Sequence, residues 1–247
     1  GRVWQAAATV RSVLRGDLIE VAAQSGLRSL FVGFETLSPD SLAGVSKRHN
    51  VGHDYAEAIR RLHGLGVMVN ASFVFGLDGD GPDVFERTVE WAIGQGIETA
   101  TFHIMTPYPG TALFRRLQAQ GRILHTRWDE YDTRHVVFRP LGMSADELEA
   151  GYWRAYADFY RWGSIFAGAA TKPTLGGRLR HVAYAGGWKK LEPLWDLAIR
   201  TKPLPRMLPT LERVLAGQRA AQRSGTSAGG SEPLPDSHDL PAPLAPS

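Results

Sequence analysis

Val67-Met68-Val69-Asn70-Ala71-Ser72-Phe73-Val74-Phe75-Gly76-Leu77-Asp78-Gly79-Asp80 decides the fold class. An uncharged run rich in β-branched and aromatic side chains stops at glycines and aspartates, the pattern of a strand closed by a turn. The run is nearly continuous rather than alternating, which predicts a strand of a parallel sheet with both faces covered. Ser29-Leu30-Phe31-Val32-Gly33-Phe34 and Thr99-Ala100-Thr101-Phe102-His103-Ile104-Met105 read the same way, and Val3 to Val10 offers a further strand.

Helical patterns lie between these runs. Asp54 and Glu57 form a capping box, after which Tyr55, Ala58, Ile59, Leu62 and Leu65 share one face until Gly64 and Gly66 stop the helix. A second helix is expected to open at Pro82, bury Phe85, Val89, Ala92 and Ile93, and end at Gly94 or Gly96. Leu113, Phe114 and Leu117 mark a shorter one stopped by Gly121, and Leu18 to Ser25 is helical up to Gly26. Strand and helix thus alternate as βαβ units with right-handed crossovers: an α/β fold built on a parallel sheet. Four units make half a barrel; a small open sheet complete in itself is the alternative.

Composition sets the outer limits. The 247 residues suffice for one core and an appendage, and no run of eighteen apolar residues or secretion-type leader is visible. Cytoplasmic location is the default expectation. The complete absence of cysteine excludes disulfides, zinc thiolates, thiol nucleophiles and thiolate-held iron–sulfur clusters on this chain. Residues 1–140 are read as the barrel part and 141–223 as a helical extension, in which Ser144 and Glu147 form a second capping box ahead of Leu148, Tyr152, Ala155, Tyr156 and Phe159. Residues 172–223 carry 11 Lys and Arg against 3 Asp and Glu. The Ser-, Gly- and Pro-rich residues 224–247 are expected to be disordered.

In parallel barrels the working groups stand where the strands end. Those positions hold Glu35 after Phe34, then Lys47, Arg48 and Asn50, then Ser72 within a strand ahead of Gly76 to Asp80, and finally Thr106-Pro107-Tyr108-Pro109-Gly110-Thr111. A carboxylate at Glu35 and a guanidinium at Arg48 suit a ligand with both a diol and a carboxylate; alternatively they pair with each other. Asp78-Gly79-Asp80 is first a turn signature, since the remaining ligands of a calcium loop do not follow. His49 and His53 are four apart but interrupted by Gly52, which argues for a loop rather than a metal pair. His103, inside a strand, reads as a packed or hydrogen-bonded core residue rather than a ligand.

The ordered strings Phe31-Val32-Gly33-Phe34-Glu35-Thr36-Leu37, Ser46-Lys47-Arg48-His49-Asn50, Phe73-Val74-Phe75-Gly76-Leu77-Asp78 and Thr106-Pro107-Tyr108-Pro109-Gly110-Thr111 carry a resemblance, continued by Gly121-Arg122-Ile123-Leu124, Trp128, Tyr131-Asp132 and His135-Val136-Val137-Phe138. Together they resemble the radical S-adenosylmethionine (SAM) family with cobalamin-binding members, including the hopanoid methylase-like group. The resemblance implies the C-terminal part of a partial (β/α)6 TIM-like barrel with a helical C-terminal extension. It places Glu35 at the SAM ribose, Arg48 at the methionyl carboxylate, Ser72 on a SAM-facing strand, and Ile104, Met105 and Thr106 beside the adenine. It further implies a [4Fe-4S] cluster, cobalamin and C-methyl transfer in the full-length family.

The family's CxxxCxxC loop has no counterpart here, so the resemblance implies the SAM-side half of an enzyme, inactive by itself, whose missing N-terminal half lies outside this chain. A non-catalytic ligand- or partner-binding module from the same barrel is the alternative. A small-molecule or lipid substrate is expected. The basic segment interleaves Arg178, Arg180, Lys189, Lys190 and Arg200 with Tyr184, Trp188, Leu191, Leu194 and Trp195. Its aromatics either pack on the barrel or lie on an anionic membrane surface. No motif supports nucleic-acid binding.

Overall fold

The computed structural model describes residues 2–37 and 55–200, with side chains of the last helix described to residue 189. Arg48, its neighbours Lys47, His49 and Asn50, the pair member His53, the cap Asp54 and residues 201–247 lie outside the described residues. The chain divides into two compact units, Gly1–Glu192 and Pro193–Ser247, and the architecture below is that of the first.

Strand β1 (Trp4–Thr9) runs directly into helix α1 (Val10–Leu14), because the Thr9 hydroxyl caps it by accepting from the Ser12 N–H. Helix α2 (Leu18–Gln24) leads to β2 (Leu27–Glu35), and α3 (Tyr55–Gly64) to β3 (Met68–Phe75). Helix α4 (Val84–Gly94) precedes β4 (Thr99–Ile104), followed by α5 (Ala112–Ala119), α6 (Ala145–Phe159), α7 (Trp162–Ala170) and α8 (Leu175–Arg200). All four strands are parallel and pair in chain order, β1-β2-β3-β4. Helix α4 starts at Val84 rather than Pro82, because Gly81 to Asp83 complete a turn with the Val84 N–H on Gly81 O. The Ser144–Glu147 capping box forms as the sequence predicts.

One face of the sheet carries the core. Phe34, Phe73 and Phe102 stand side by side on β2, β3 and β4 with ring centroids 5.8 and 5.9 Å apart, and Phe75 stacks on Phe102 at 5.5 Å. Trp91 of α4 meets Phe34 and Phe73 edge-on. Cross-strand aromatic pairs add about 0.5–1.5 kcal/mol each beyond the area they bury. The opposite face presents Ala7, Phe31, Asn70 and Thr99 in one row and Thr9, Gly33, Ser72 and Thr101 in the next. This face is not covered as the apolar runs predicted: Phe31 is 37% exposed, and Met68, Asn70, Thr101 and His103 are half-buried. The runs misled because Phe31, Met68 and Val74 stand among the polar and glycine positions of the open face, Ser29, Gly33, Asn70 and Ser72, and blur the alternation.

The edge strand β4 is closed by hydroxyls. Tyr160 accepts from the Ala100 N–H and donates to Ala100 O, and Tyr156 does the same at Phe102, all within 3.2 Å. Two tyrosines of the α6 region thereby satisfy a row of backbone groups that an unpaired edge leaves open. At the N-terminal end of the strands, Glu98 accepts from Lys172 Nζ at 2.5 Å, from the Val69 N–H at 2.9 Å and contacts His63 Nε2 at 3.2 Å. Lys172 also donates to Gly96 O. This buried knot ties the turn between α7 and α8 to the sheet.

Candidate functional site

The C-terminal ends of β2, β3 and β4 open into a cleft of about 750 Å³. Glu35, Ser72, Val74, His103, Thr106 and Thr133 lie on its walls, with Leu77, Ile104, Met105 and Leu113 supplying much of the apolar surface. Of the six residues singled out in the sequence, five share this one cleft: Glu35, Ser72, Ile104, Met105 and Thr106. Arg48 is the sixth and lies outside the described residues.

Glu35 is held in an unusual conformation. Its φ is +66°, in the left-handed region, and the Thr36 N–H donates to Phe34 O at 2.9 Å, so Glu35 is the centre of a three-residue turn. The pairing of β2 with β3 slips between Gly33 and Glu35. At Gly33 a Cβ would lie 3.1 Å from Glu35 Oε1, so this glycine leaves room for the carboxylate to fold back over the strand end. Tyr55 donates to Phe34 O at 3.0 Å and braces the turn; burial raises its phenol to about 12, with the Glu35 charge adding to the effect.

Thr133 forms the facing wall, also in the left-handed region at φ +68°. Its carbonyl accepts from the Ile104 N–H at 2.7 Å, and its hydroxyl lies 3.2 Å from His103 Nδ1. Among the described residues, Glu35 and Thr133 are the non-glycine residues with positive φ, and both border the same cleft. Such backbone costs about 1–3 kcal/mol at each position, and it clusters where function constrains the chain. His103 is hydrogen-bonded, as one of the two expected readings had it, but it stands on the cleft wall, where burial lowers its affinity for a proton and the Glu35 charge partly restores it.

The floor is fixed by the backbone. Met105 N–H donates to Phe75 O at 2.9 Å, and the Thr106 hydroxyl donates to Ile104 O at 3.0 Å. The Asp78-Gly79-Asp80 turn is structural, as its composition suggested. Asp80 accepts from the Gly76 and Leu77 N–H groups, and Asp78 pairs with Arg122 at 2.8 Å and Arg116 at 3.2 Å. Sequence reasoning missed Arg116, His103 and Thr133 as wall residues. A period-2 reading of β4 with Phe102 and Ile104 inward would have turned His103 outward; nothing in the sequence marks Thr133 as left-handed.

The cleft suits an adenosyl-type ligand: apolar walls for a flat base, a carboxylate at one end, a hydroxyl at Ser72 and a bordering backbone. It does not suit an iron–sulfur cluster. The chain has no cysteine, and the described residues contain no group of three or more His, Asp or Glu placed to hold a metal ion. No helix among the described residues is long and apolar enough to cross a membrane.

No family model matches the chain. It is 29% identical over 170 residues to a bacteriochlorophyllide d C-12(1)-methyltransferase of Chlorobaculum tepidum, a match covering 69% of this chain and 37% of that protein. It is 30% identical over 118 residues to the hopanoid C-2 methylase of Rhodopseudomonas palustris, covering 48% and 22% respectively. The chain thus spans well under half the length of these relatives. A solved structure of the radical SAM methyltransferase TsrM from Kitasatospora setae, with cobalamin and a [4Fe-4S] cluster bound, is 19% identical over 60% of this chain and 28% of its own. Its TM-score of 0.42 is too low to carry an argument. The hopanoid C-2 methylase among these relatives agrees with the resemblance that the ordered motifs carry, and over 48–69% of its length this chain is similar to methyl-transferring enzymes.

Proposed function

We propose that this chain forms the SAM-contacting side of a radical SAM, C-methyltransferase-like protein, and that the cleft at the strand ends is where SAM is held. The observation that carries this reading is the convergence of the left-handed residues Glu35 and Thr133 on one apolar cleft with a carboxylate at its end. Glu35 accepts from the two ribose hydroxyls, Ser72 adds a hydroxyl from β3, and the backbone of Ile104 to Thr106 lies along the base. His103, whose affinity for a proton burial lowers, lines the same wall. By resemblance Arg48 forks onto the methionyl carboxylate. When bound, SAM supplies the group that the relatives' methyl-transfer chemistry requires. The thiolates of a [4Fe-4S] cluster are not on this chain, so no step is assigned to it.

Saturation-transfer NMR of the chain with SAM tests the reading. Transfer to the adenine and ribose protons is expected, and Glu35→Ala is expected to abolish the ribose signals. Absence of transfer with the folded wild-type chain would overturn the assignment. Anaerobic reconstitution with iron and sulfide is expected to leave no cluster absorbance; a stably bound cluster would contradict its placement off this chain. A second reading, a binding module that has lost its reaction, is favoured by the lack of any cysteine. The coding sequence upstream of Gly1 separates the two: a CxxxCxxC motif supports the enzyme, and unrelated sequence supports the module.

A further inference from the structure

The hairpin of α7 and α8 carries a surface that the cleft does not use. The helices run antiparallel: a Cβ at Gly168 would lie 2.8 Å from His181 Nε2, and one at Gly186 would lie 3.3 Å from the Trp162 ring. His181 and Ala185 are buried on one side of α8. Leu175, Leu179, Val182 and Gly186 recur at intervals of three and four residues along a different side, the one that meets Trp162. Trp162 and Phe166, one turn apart on α7, stack at 6.0 Å. Trp162, Phe166, Leu175 and Leu179 are 44%, 57%, 72% and 63% exposed. Isolated apolar residues on a surface need no explanation; a run of four large ones on adjacent helices does.

Charge identifies what covers them. Between Asp158 and Glu192 there is no acidic residue, while Arg161, Lys172, Arg178, Arg180, Lys189 and Lys190 are basic. Lys172 is neutralised by Glu98. Lys189 sits beside the apolar stripe, its Nζ 5.9 Å from the centre of the Trp162 ring and donating to Tyr160 O; Arg178 flanks the stripe from the same helix, with only its Nε donating, to Lys172 O at 3.0 Å, among the described residues. Exposed aromatic and aliphatic side chains on a helical hairpin whose own segment carries cations and no carboxylates match a surface with apolar depth beneath negative charge.

We propose that the α7–α8 hairpin is a peripheral docking surface for an anionic phospholipid bilayer. Trp162, Phe166, Leu175 and Leu179 enter the boundary between headgroups and acyl chains, the terminal nitrogens of the exposed Arg178 meet lipid phosphates, and Lys189 adds positive charge beside Trp162. The surface lies outside the cleft, so this assignment stands or falls separately from SAM binding.

Co-sedimentation of the full chain with unilamellar vesicles tests it, comparing phosphatidylcholine containing phosphatidylglycerol with phosphatidylcholine alone. Retention by the anionic vesicles at low salt, release at high salt and much weaker retention by neutral vesicles are expected. Phe166→Ser with Leu179→Ser is expected to weaken retention by at least about tenfold. Circular dichroism and SAM saturation transfer should stay unchanged; Leu175→Ser with Leu179→Ser replaces that pair should its helix content fall. Failure of anionic vesicles to retain the wild type, equal retention by neutral vesicles, or wild-type retention by a folded double variant would overturn the proposal.

Discussion

At the N-terminal end of the strands Glu98 is 2% exposed and meets Lys172, His63 and the Val69 amide, whereas at the C-terminal end Glu35 stands half-buried on left-handed backbone beside an open cleft. Both ends place a carboxylate next to a strand terminus. At one end it is enclosed by partners from α3, β3 and the turn between α7 and α8, and its role is to hold the helical extension on the sheet. At the other, the backbone adopts a costly conformation to present the carboxylate to a cavity. In parallel barrels these are the stability end and the working end respectively.

The largest expected effect breaks the closed end. Glu98→Gln leaves the Lys172 ammonium buried without its counter-charge, and a loss of about 3–5 kcal/mol is expected in urea unfolding. Glu98→Leu combined with Lys172→Met should recover most of that loss, because both charges are then gone. A recovery of nothing would show that the hydrogen bonds the pair gives the Val69 N–H and Gly96 O outweigh the charge pairing.

Acid should attack the same end first. Burial would raise the Glu98 carboxyl, but His63 and Lys172 outweigh it and bring it to about 2. Its folded value lies below the ordinary 4.5, so its contribution is complete above that pH and is lost as pH falls toward 2. His181 is held neutral by burial, which lowers its value from 6.5 to about 4. The unfolded chain takes up that proton first, so stability is also lost between pH 6.5 and 4, by an amount on the order of 3 kcal/mol. Urea midpoints across this range should fall steadily with acidity, and His181→Phe should flatten the upper part of the curve.

Smaller effects, of opposite sign, are expected at the open end. Glu35→Gly removes a side chain from left-handed backbone and should raise stability by up to about 1 kcal/mol while abolishing SAM contact at the ribose. Thr133→Asn should raise it by a few tenths of a kcal/mol, since asparagine tolerates the left-handed region better than a β-branched residue. Thermal melts with and without SAM check both.

The contrast also explains what the sequence disclosed. Strand and helix identities followed from local periodicity, which is why Val67 to Phe75 and the Ser144–Glu147 cap read correctly. Glu35 was visible because it interrupts an apolar run at a strand end. The Glu98–Lys172 pair was not, because its members are 74 residues apart and neither interrupts a pattern. Helix α1 was missed because five residues are too few for a helical period to emerge, and only the Thr9 cap marks its start. The open sheet face was hidden because Phe31, Met68 and Val74 interrupt its polar positions and blur the alternation. Thr133 adopts its conformation through the Ile104 and His103 contacts, which depend on the assembled fold.

Hydrogen exchange of the chain with and without SAM compares the two ends directly. Slower exchange at Phe34 to Leu37 and at Ile104 to Thr106, with no change around Glu98 and Lys172, is the predicted result. Slowing confined to the N-terminal ends of the strands, or no slowing anywhere, would contradict the placement of the ligand in this cleft.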